Sequence, residues 1–284
     1  MTHPRNIALT LLLLGAATTA TQGADWSDTS LGWRGGTTFR EPYNDQNIKK
    51  NIVNLTHVSG YAYGTNFFNV DMLISDRNDP ARANTPSGAA EDGAQEVYVV
   101  YRHTLDAGKV LGLNLGVGPL RGFGLTAGGD LNEKADAGYG SKKRMLVVGP
   151  TAMFDVPGFL NVSVVALVES NQPYGVSERY TYKTHPALDV SWGMPFKLGT
   201  TAWTFAGYAD YIAAKGDNEF GGATSPEIHL DAKLMVDVAT LWGGKERGFL
   251  VGAAYEYWKN KFGNPQEVDG SLASTPMLRA EYHF

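Results

Sequence analysis

The sequence predicts an all-β protein: a transmembrane antiparallel β-barrel of twelve strands, of the outer-membrane type. Three observations predict it. Apolar and polar residues alternate with period two through nearly the whole chain after residue 23. The connections between the alternating runs are long and short by turns, with one tie at the middle. The chain stops on an alternating run that ends in Phe284.

The strands are read at 28–40, 52–61, 65–76, 94–105, 109–121, 144–155, 159–170, 178–192, 200–213, 226–242, 247–260 and 274–284. Most reach the 9–11 residues that a tilted membrane strand needs, and an even count is what bacterial barrels show. The clearest alternation is in 226–242, where Ile228, Leu230, Ala232, Leu234, Val236 and Val238 share one face. His229, Asp231, Lys233, Met235 and Asp237 share the other. The short connections include Asp106-Ala107-Gly108, Val156-Pro157-Gly158 and Gly243-Gly244-Lys245-Glu246, all with turn chemistry. Segments 77–93 and 122–143 are expected to be long loops. Outer-membrane barrels put short turns on the periplasmic side and long loops outside. With both termini periplasmic, every long connection falls outside.

Composition agrees. Thirty-four glycines, fourteen tyrosines, twelve phenylalanines and no cysteine suit a turn-rich β-protein and exclude a disulfide scaffold or a thiolate metal site. Mean hydropathy is −0.22, as expected where one face of each strand meets lipid and the other water. Residues 1–23 read as a secretory signal peptide, leaving 24–284 as one barrel domain. Arg5 is the sole charge before Asp25, Ile7 to Ala17 carries none, and small residues follow to Ala24. Cleavage after Ala20 or Gly23 fits the small-residue rule, whereas cleavage after Ala24 puts Gln22 in a poor position. Loss of Arg5 moves the net charge from −5 to −6, so nucleic acid, which needs a basic face, is not an expected partner.

Sorting each strand into two faces gives a predicted lumen. Strand 65–76 points Phe67, Asn69, Asp71 and Ser75 inward, and strand 94–105 points Glu96, Tyr98 and Arg102 inward. Strand 178–192 supplies Lys183, His185 and Asp189; strand 200–213 supplies Tyr208 and Asp210. Strand 28–40 adds Arg34 and Arg40, strand 226–242 adds Asp231, Lys233 and Asp237, and the last strand adds Arg279 and Glu281. Buried charges must pair or stay wet, so two readings stand: a structural network filling the barrel, or a solute path in which aromatics stack on a ring and polar groups bind hydroxyls. Outward aromatics near strand ends (Trp192, Trp203, Tyr211, Trp242, Tyr255, Tyr257) are expected to form interfacial girdles.

The block Arg40-Glu41-Pro42-Tyr43-Asn44, then NIVNLTHVSGYAYGTNFFNVDMLISD from Asn51 to Asp76, then GAQEVYVVYRHTL from Gly93 to Leu105, resembles proteins of the Tsx-like nucleoside-specific channel-forming family of the outer membrane. The resemblance implies a monomeric twelve-stranded barrel in the outer membrane of a Gram-negative bacterium, with a narrow lumen that passes nucleosides. It transfers no individual binding residue. Expected partners are the solute, outer-membrane lipid and lipopolysaccharide, and the barrel assembly machinery, which reads a terminal strand ending in Phe. Phage could dock at the external loops.

Other functions are weaker fits. A channel for acidic oligosaccharides needs a basic lumen, and carboxylates here at least equal the bases. An outer-membrane phospholipase needs a paired His and Ser followed by Asn; His57-Val58-Ser59-Gly60 lacks the Asn. An adhesion or phage-docking barrel would act through its loops. No enzyme activity, cofactor or metal site is expected.

Overall fold

A computed structural model describes residues 24–79, 93–135, 139–244 and 246–284. Residues 1–23, expected to be a signal peptide, and most of the expected loop 77–93 lie outside the described residues. The strands, in chain order, are β1 (Trp26–Phe39), β2 (Ile48–Tyr61), β3 (Gly64–Ser75), β4 (Gln95–Asp106), β5 (Leu120–Ala135), β6 (Arg144–Phe154) and β7 (Phe159–Asn171). They continue with β8 (Tyr180–Thr181), β9 (His185–Leu198), β10 (Thr201–Ile212), β11 (Glu227–Asp237), β12 (Phe249–Lys259) and β13 (Ala273–His283).

Every consecutive pair of long strands is antiparallel, and β7 passes to β9 with the two-residue β8 as a side ladder. β1 then pairs with β13, from Ser30↔His283 to Gly35↔Leu278. The ring is closed. Twelve long strands form an antiparallel barrel, as the alternation predicts. Closure leaves no unpaired edge, so the backbone polar groups of the strands are satisfied within the wall.

The register fixes which side chains point inward. Opposed residues share a face, and Arg34↔Ile52, Ile52↔Leu73 and Leu73↔Glu96 carry the inner face from β1 to β4. The outer face is apolar: Leu31, Val53, Leu55, Met72, Leu146, Val148, Val164, Leu188, Leu234 and Leu278 are all exposed. The buried apolar clusters lie inside the ring. One joins Phe39, Ile48, Ile52, Ala254 and Met277, with Leu73 against it; the other joins Met145, Val147, Val165, Leu167 and Ala187, with Ile212.

Both termini lie at one end, the terminus end, with connections 62–63, 107–119, 155–158, 199–200 and 238–248. The opposite end, the loop end, carries 40–47, 76–94, 136–143, 172–184, 213–226 and 260–272. Outward Tyr211, Tyr255 and Tyr257 sit towards the loop end, whereas Trp203 lies near the terminus end.

Several sequence expectations need correction. The predicted strand 109–121 does not form, and the predicted loop 122–143 is mostly β5. After β4 the chain makes a short helix, α1 (Ala107–Leu111), whose Lys109 N–H bonds Asp106 Oδ1 at 3.2 Å. Gly112 and Gly118 then adopt φ of 67° and 57°, which a strand does not accept. β5 looked like a loop because its inner face is polar. Its Asp130, Asn132 and Lys134 point inward. The loop alternation therefore fails at one place: 107–119, at the terminus end, is longer than 136–143.

The predicted strand 178–192 is displaced to β9, beyond Lys183. The predicted 226–242 ends at Asp237, where Ala239–Trp242 forms a 3₁₀ turn closed by Gly243. Trp242 is thus a turn residue and not part of a strand-end girdle.

Leu234→Arg, placed on the outer face, is expected to cost about 2–4 kcal/mol near a bilayer midplane. Urea unfolding of protein folded into lipid vesicles measures it. An unchanged midpoint would mean that this face does not meet acyl chains.

Candidate solute path

The inner face holds most of the predicted residues. Phe67, Asn69 and Asp71 of β3, Glu96, Tyr98 and Arg102 of β4, Asp189 of β9, and Tyr208 and Asp210 of β10 occupy inward register positions. So do Asp231, Lys233 and Asp237 of β11, with Arg279 and Glu281 of β13. Arg40 and Lys183 do not. Arg40 follows the last residue of β1 and donates Nη1 to Asp45 O at 2.5 Å; the bulge between Gly36 and Phe39 shifts the alternation, so Phe39, opposite Ile48, takes the inward place. Lys183 lies between β8 and β9, exposed, with its N–H on Lys215 O at 3.1 Å.

At the loop end two ionic networks close the interior. In the first, Lys50 Nζ lies 2.5 Å from Glu41 Oε1 and 3.5 Å from Asp79 Oδ2. Lys134 Nζ lies 2.7 Å from Asp79 Oδ1 and 3.8 Å from Glu41 Oε2, and Lys261 Nζ lies 3.3 Å from Glu41 Oε1. Three ammoniums from the wall and one loop thus meet two carboxylates carried by other loops, all buried. Burial alone would raise the Glu41 carboxyl, but the Lys134, Lys261 and Lys50 ammoniums outweigh it and hold the group well below the usual carboxylate range.

The second network centres on Glu169 of β7, 3.0 Å from Lys215 Nζ and 3.9 Å from Lys143 Nζ. Lys215 is also 3.5 Å from Glu227 and stands 4.6 Å over the Tyr182 ring. Above it, Glu219 of the 213–226 connection accepts from Tyr182 Oη at 2.5 Å, from Asn171 Nδ2 at 3.2 Å and from Tyr139 Oη. Burial, then the Glu219 carboxylate, pushes both phenols well up.

At the waist two pairs are one to one, one carboxylate is shared by two bases, and two carboxyls face each other. Arg34 grips Asp71 with two bonds, Nη2–Oδ2 at 2.7 Å and Nη1–Oδ1 at 3.3 Å. Arg102 Nη1 is 2.5 Å from Asp130 Oδ1, and Tyr98 Oη donates to Asp130 Oδ2 at 3.0 Å. Lys233 and Arg279 share Glu281 at 2.5 and 2.7 Å. Asp189 and Asp210 face each other across β9 and β10. A run of rings leads from here towards the loop end: Tyr208 lies edge-on to His229 at 5.1 Å, and His229 stacks on Trp258, next to last in β12, at 3.9 Å. Glu256 Oε2 lies 3.9 Å from His229 Nε2, and its buried Oε1 has no partner.

Accessibility divides the lumen. At the loop end Glu41, Lys50, Asp79, Lys134, Glu169, Lys215 and Lys261 are buried, whereas Arg102, Asp189, Tyr208, Asp210 and Lys233 are half-buried and Phe67 is 38% exposed on an inward position. Asp237 takes no part in this space. Its oxygens accept the N–H groups of Ala239 at 3.0 Å and Arg247 at 2.6 Å, so it caps the turn after β11.

Sequence reasoning missed Lys50, Asp130, Lys134, Glu169, Lys215 and the His229–Trp258 stack as elements of the interior. For Asp130 and Lys134 the signal existed: 126–134 alternates, but with a polar inner face it reads as a loop. His57, weighed as a hydrolase residue, bonds Thr29 Oγ1 at 2.8 Å through Nδ1.

No protein-family model matches the chain, and no curated protein matches it significantly. Among solved structures, the translocator domain of the autotransporter NalP from Neisseria meningitidis is 12% identical over 93% of this chain and 90% of its own, with a TM-score of 0.46. The KdgM porin in complex with disordered oligogalacturonate is 10% identical over 90% and 99%, with a TM-score of 0.38. OprB of Pseudomonas putida is 10% identical over 92% and 94%, with a TM-score of 0.34. At these scores the architecture rests on the chain's own strand pairing.

The depressed Glu41 carboxyl contributes stability that is present above the unfolded value of about 4.3 and is lost as pH falls through the lower folded value. Glu41→Gln is expected to cost about 3–5 kcal/mol at neutral pH, as for breaking a buried pair. It should also flatten the acid limb of the stability profile. Urea midpoints in micelles from neutral to acid pH test this; an acid limb identical to the parent's would remove Glu41 from the network's energetics.

Proposed function

We propose that the barrel is an outer-membrane channel for small solutes, with nucleosides as its first substrates, and that its loop end faces outward from a Gram-negative cell. The observation that carries this reading is the waist. A closed ring with an apolar exterior presents in its interior a run of rings that starts at Tyr208, among charged groups half open to solvent, and leads towards the loop end. Rings of this kind can stack on a base, and carboxylates and guanidiniums can bind ribose hydroxyls. The resemblance of Asn51–Asp76 and Gly93–Leu105 to the Tsx-like family supports the choice of solute. The chain acts as a monomer, folded by the barrel assembly machinery and surrounded by lipopolysaccharide and phospholipid. Solute entry requires the loop-end networks to part.

An acidic oligosaccharide is a poorer substrate, because Asp71, Asp130, Asp189, Asp210 and Asp231 all line the inner face. Phage docking fits the 213–226 connection, whose Phe220 is 68% exposed, and is compatible with a channel.

Stacking on a base is worth about 1–3 kcal/mol, roughly 5- to 150-fold in affinity. Tyr208→Ala and Phe67→Ala are therefore expected to lower nucleoside uptake at micromolar supply by up to that factor, with little change at millimolar supply. Tyr98→Ala, which removes a donor to buried Asp130, should instead lower heat stability and reduce uptake equally at all concentrations. Uptake by Tyr208→Ala and Phe67→Ala cells equal to the parent's would remove those rings from the path. Intact micromolar uptake in cells lacking the protein would remove the nucleoside.

Orientation has its own test. The chain contains no cysteine, so single-cysteine variants carry no background. Phe220→Cys should react with an impermeant maleimide on intact cells, and Asp155→Cys only after the envelope is permeabilised. The reverse pattern would invert the topology.

A further inference from the structure

We propose that the connection 107–119 is a membrane-seating flap, and that its partner is the phospholipid surface of the leaflet at the terminus end; this rests on the barrel spanning a membrane as read above. Val110, Leu111 and Val117 are 51%, 63% and 71% exposed, so no part of the wall or lumen covers them. Exposed apolar residues clustered this densely mark an interaction surface.

The segment is held in place at both roots and within. Asp106 N–H donates to Tyr63 O at 2.9 Å, Asp155 N–H donates to Pro119 O at 2.9 Å, and Val117 and Leu120 exchange two backbone bonds at 3.0 Å. Leu113 N–H bonds Gly108 O at 2.9 Å after α1. The apolar groups are therefore presented by an ordered unit.

The flap has two sides. A cavity of about 220 Å³ beneath it is lined by Asp106, Lys109, Leu113, Asn114, Leu115 and Arg121, and by neither Val110, Leu111 nor Val117. Arg121 Nη2 lies 3.3 Å from Met153 Sδ, on an inward position of β6, so the cavity side looks toward the barrel mouth. Val110, Leu111 and Val117 lie outside that lining. At the same end of the barrel the outer face carries the exposed Phe123 and Leu125 of β5, with Tyr61 and Tyr63 edge to face on the adjacent hairpin, an aromatic level of the kind that sits at a membrane interface.

The test uses the cysteine-free chain. Leu111→Cys and Val117→Cys, with Asn114→Cys on the cavity side and Leu234→Cys on the wall, each take an environment-sensitive fluorophore. The proteins are folded into vesicles of phosphatidylethanolamine and phosphatidylglycerol, with and without brominated lipid. Labels at 111, 117 and 234 should emit to the blue and lose most of their emission to brominated lipid. The label at 114 should lose it to aqueous iodide supplied on both sides. If 234 is quenched by lipid but 111 and 117 respond to iodide as 114 does, the flap does not seat in the leaflet, while the membrane barrel stands. If 234 also responds only to iodide, the membrane reading falls and takes the flap with it.

Discussion

Ring closure is the constraint on which the rest of this molecule depends. Once β1 pairs with β13, every long strand must send alternate side chains into an interior of fixed circumference. The outer face can be apolar throughout, because an apolar solvent satisfies it. The inner face has to be neutralised, filled or hydrated. The chain does all three at different levels: apolar clusters around Ile48–Ile52 and Met145–Val147, ionic networks at the loop end, and half-open charges at the waist.

The loop-end networks also tie the described parts of several connections to one another and to the wall. Glu41 and Asp79 come from separate connections, yet both contact Lys50 and Lys134 of the wall, while Glu41 also reaches Lys261 of a third. Lys215 and Glu219 do the same from the opposite side, drawing the 213–226 connection onto β7 and Tyr182. A side chain buried with a charge stays only where its partners stay, so each loop's position depends on the others.

The sequence made the wall legible and left the interior only partly so, for one physical reason. Period two is dictated by the pleat and survives in the residue pattern wherever the two faces differ in polarity. At 226–237 they differ sharply, and Ile228, Leu230 and Leu234 against Asp231 and Lys233 were assigned correctly. At 120–135 the inner face is polar and the outer face mixes Gly129 and Glu133 with Leu131, so the alternation carries little contrast and the strand was taken for a loop. At 109–118 apolar residues alternate with polar or small ones although the chain turns on Gly112 and Gly118, because those residues face out of the barrel altogether. The networks were illegible for a different reason. Glu41 and Lys261 lie 220 positions apart, and only ring closure brings them together. Arg40 and Lys183 failed as lumen residues because strand ends are set by bulges and cross-strand partners, which alternation does not encode.

If the barrel is the channel proposed above, its loop end has to open, and the chemistry of the networks there bears on how. A mouth sealed by an apolar core would lose its burial free energy on opening, with nothing returned. A mouth sealed by ion pairs behaves differently. Taking charges out of water is costly, and mutual attraction has to offset that cost; at Glu41 the three ammoniums more than offset it, which holds its carboxyl below the usual range. Were the 40–47 and 213–226 connections to lift, Glu41, Lys50, Lys134, Lys215 and Glu219 would regain water, and that hydration would return part of the attraction lost. The apolar clusters lie against the wall, with Ile52 opposed to Arg34 and Val147 to Leu167, so they can stay packed while the loops move. The ring is held by backbone pairing and the loop end by ions, and the proposed solute path would call on both.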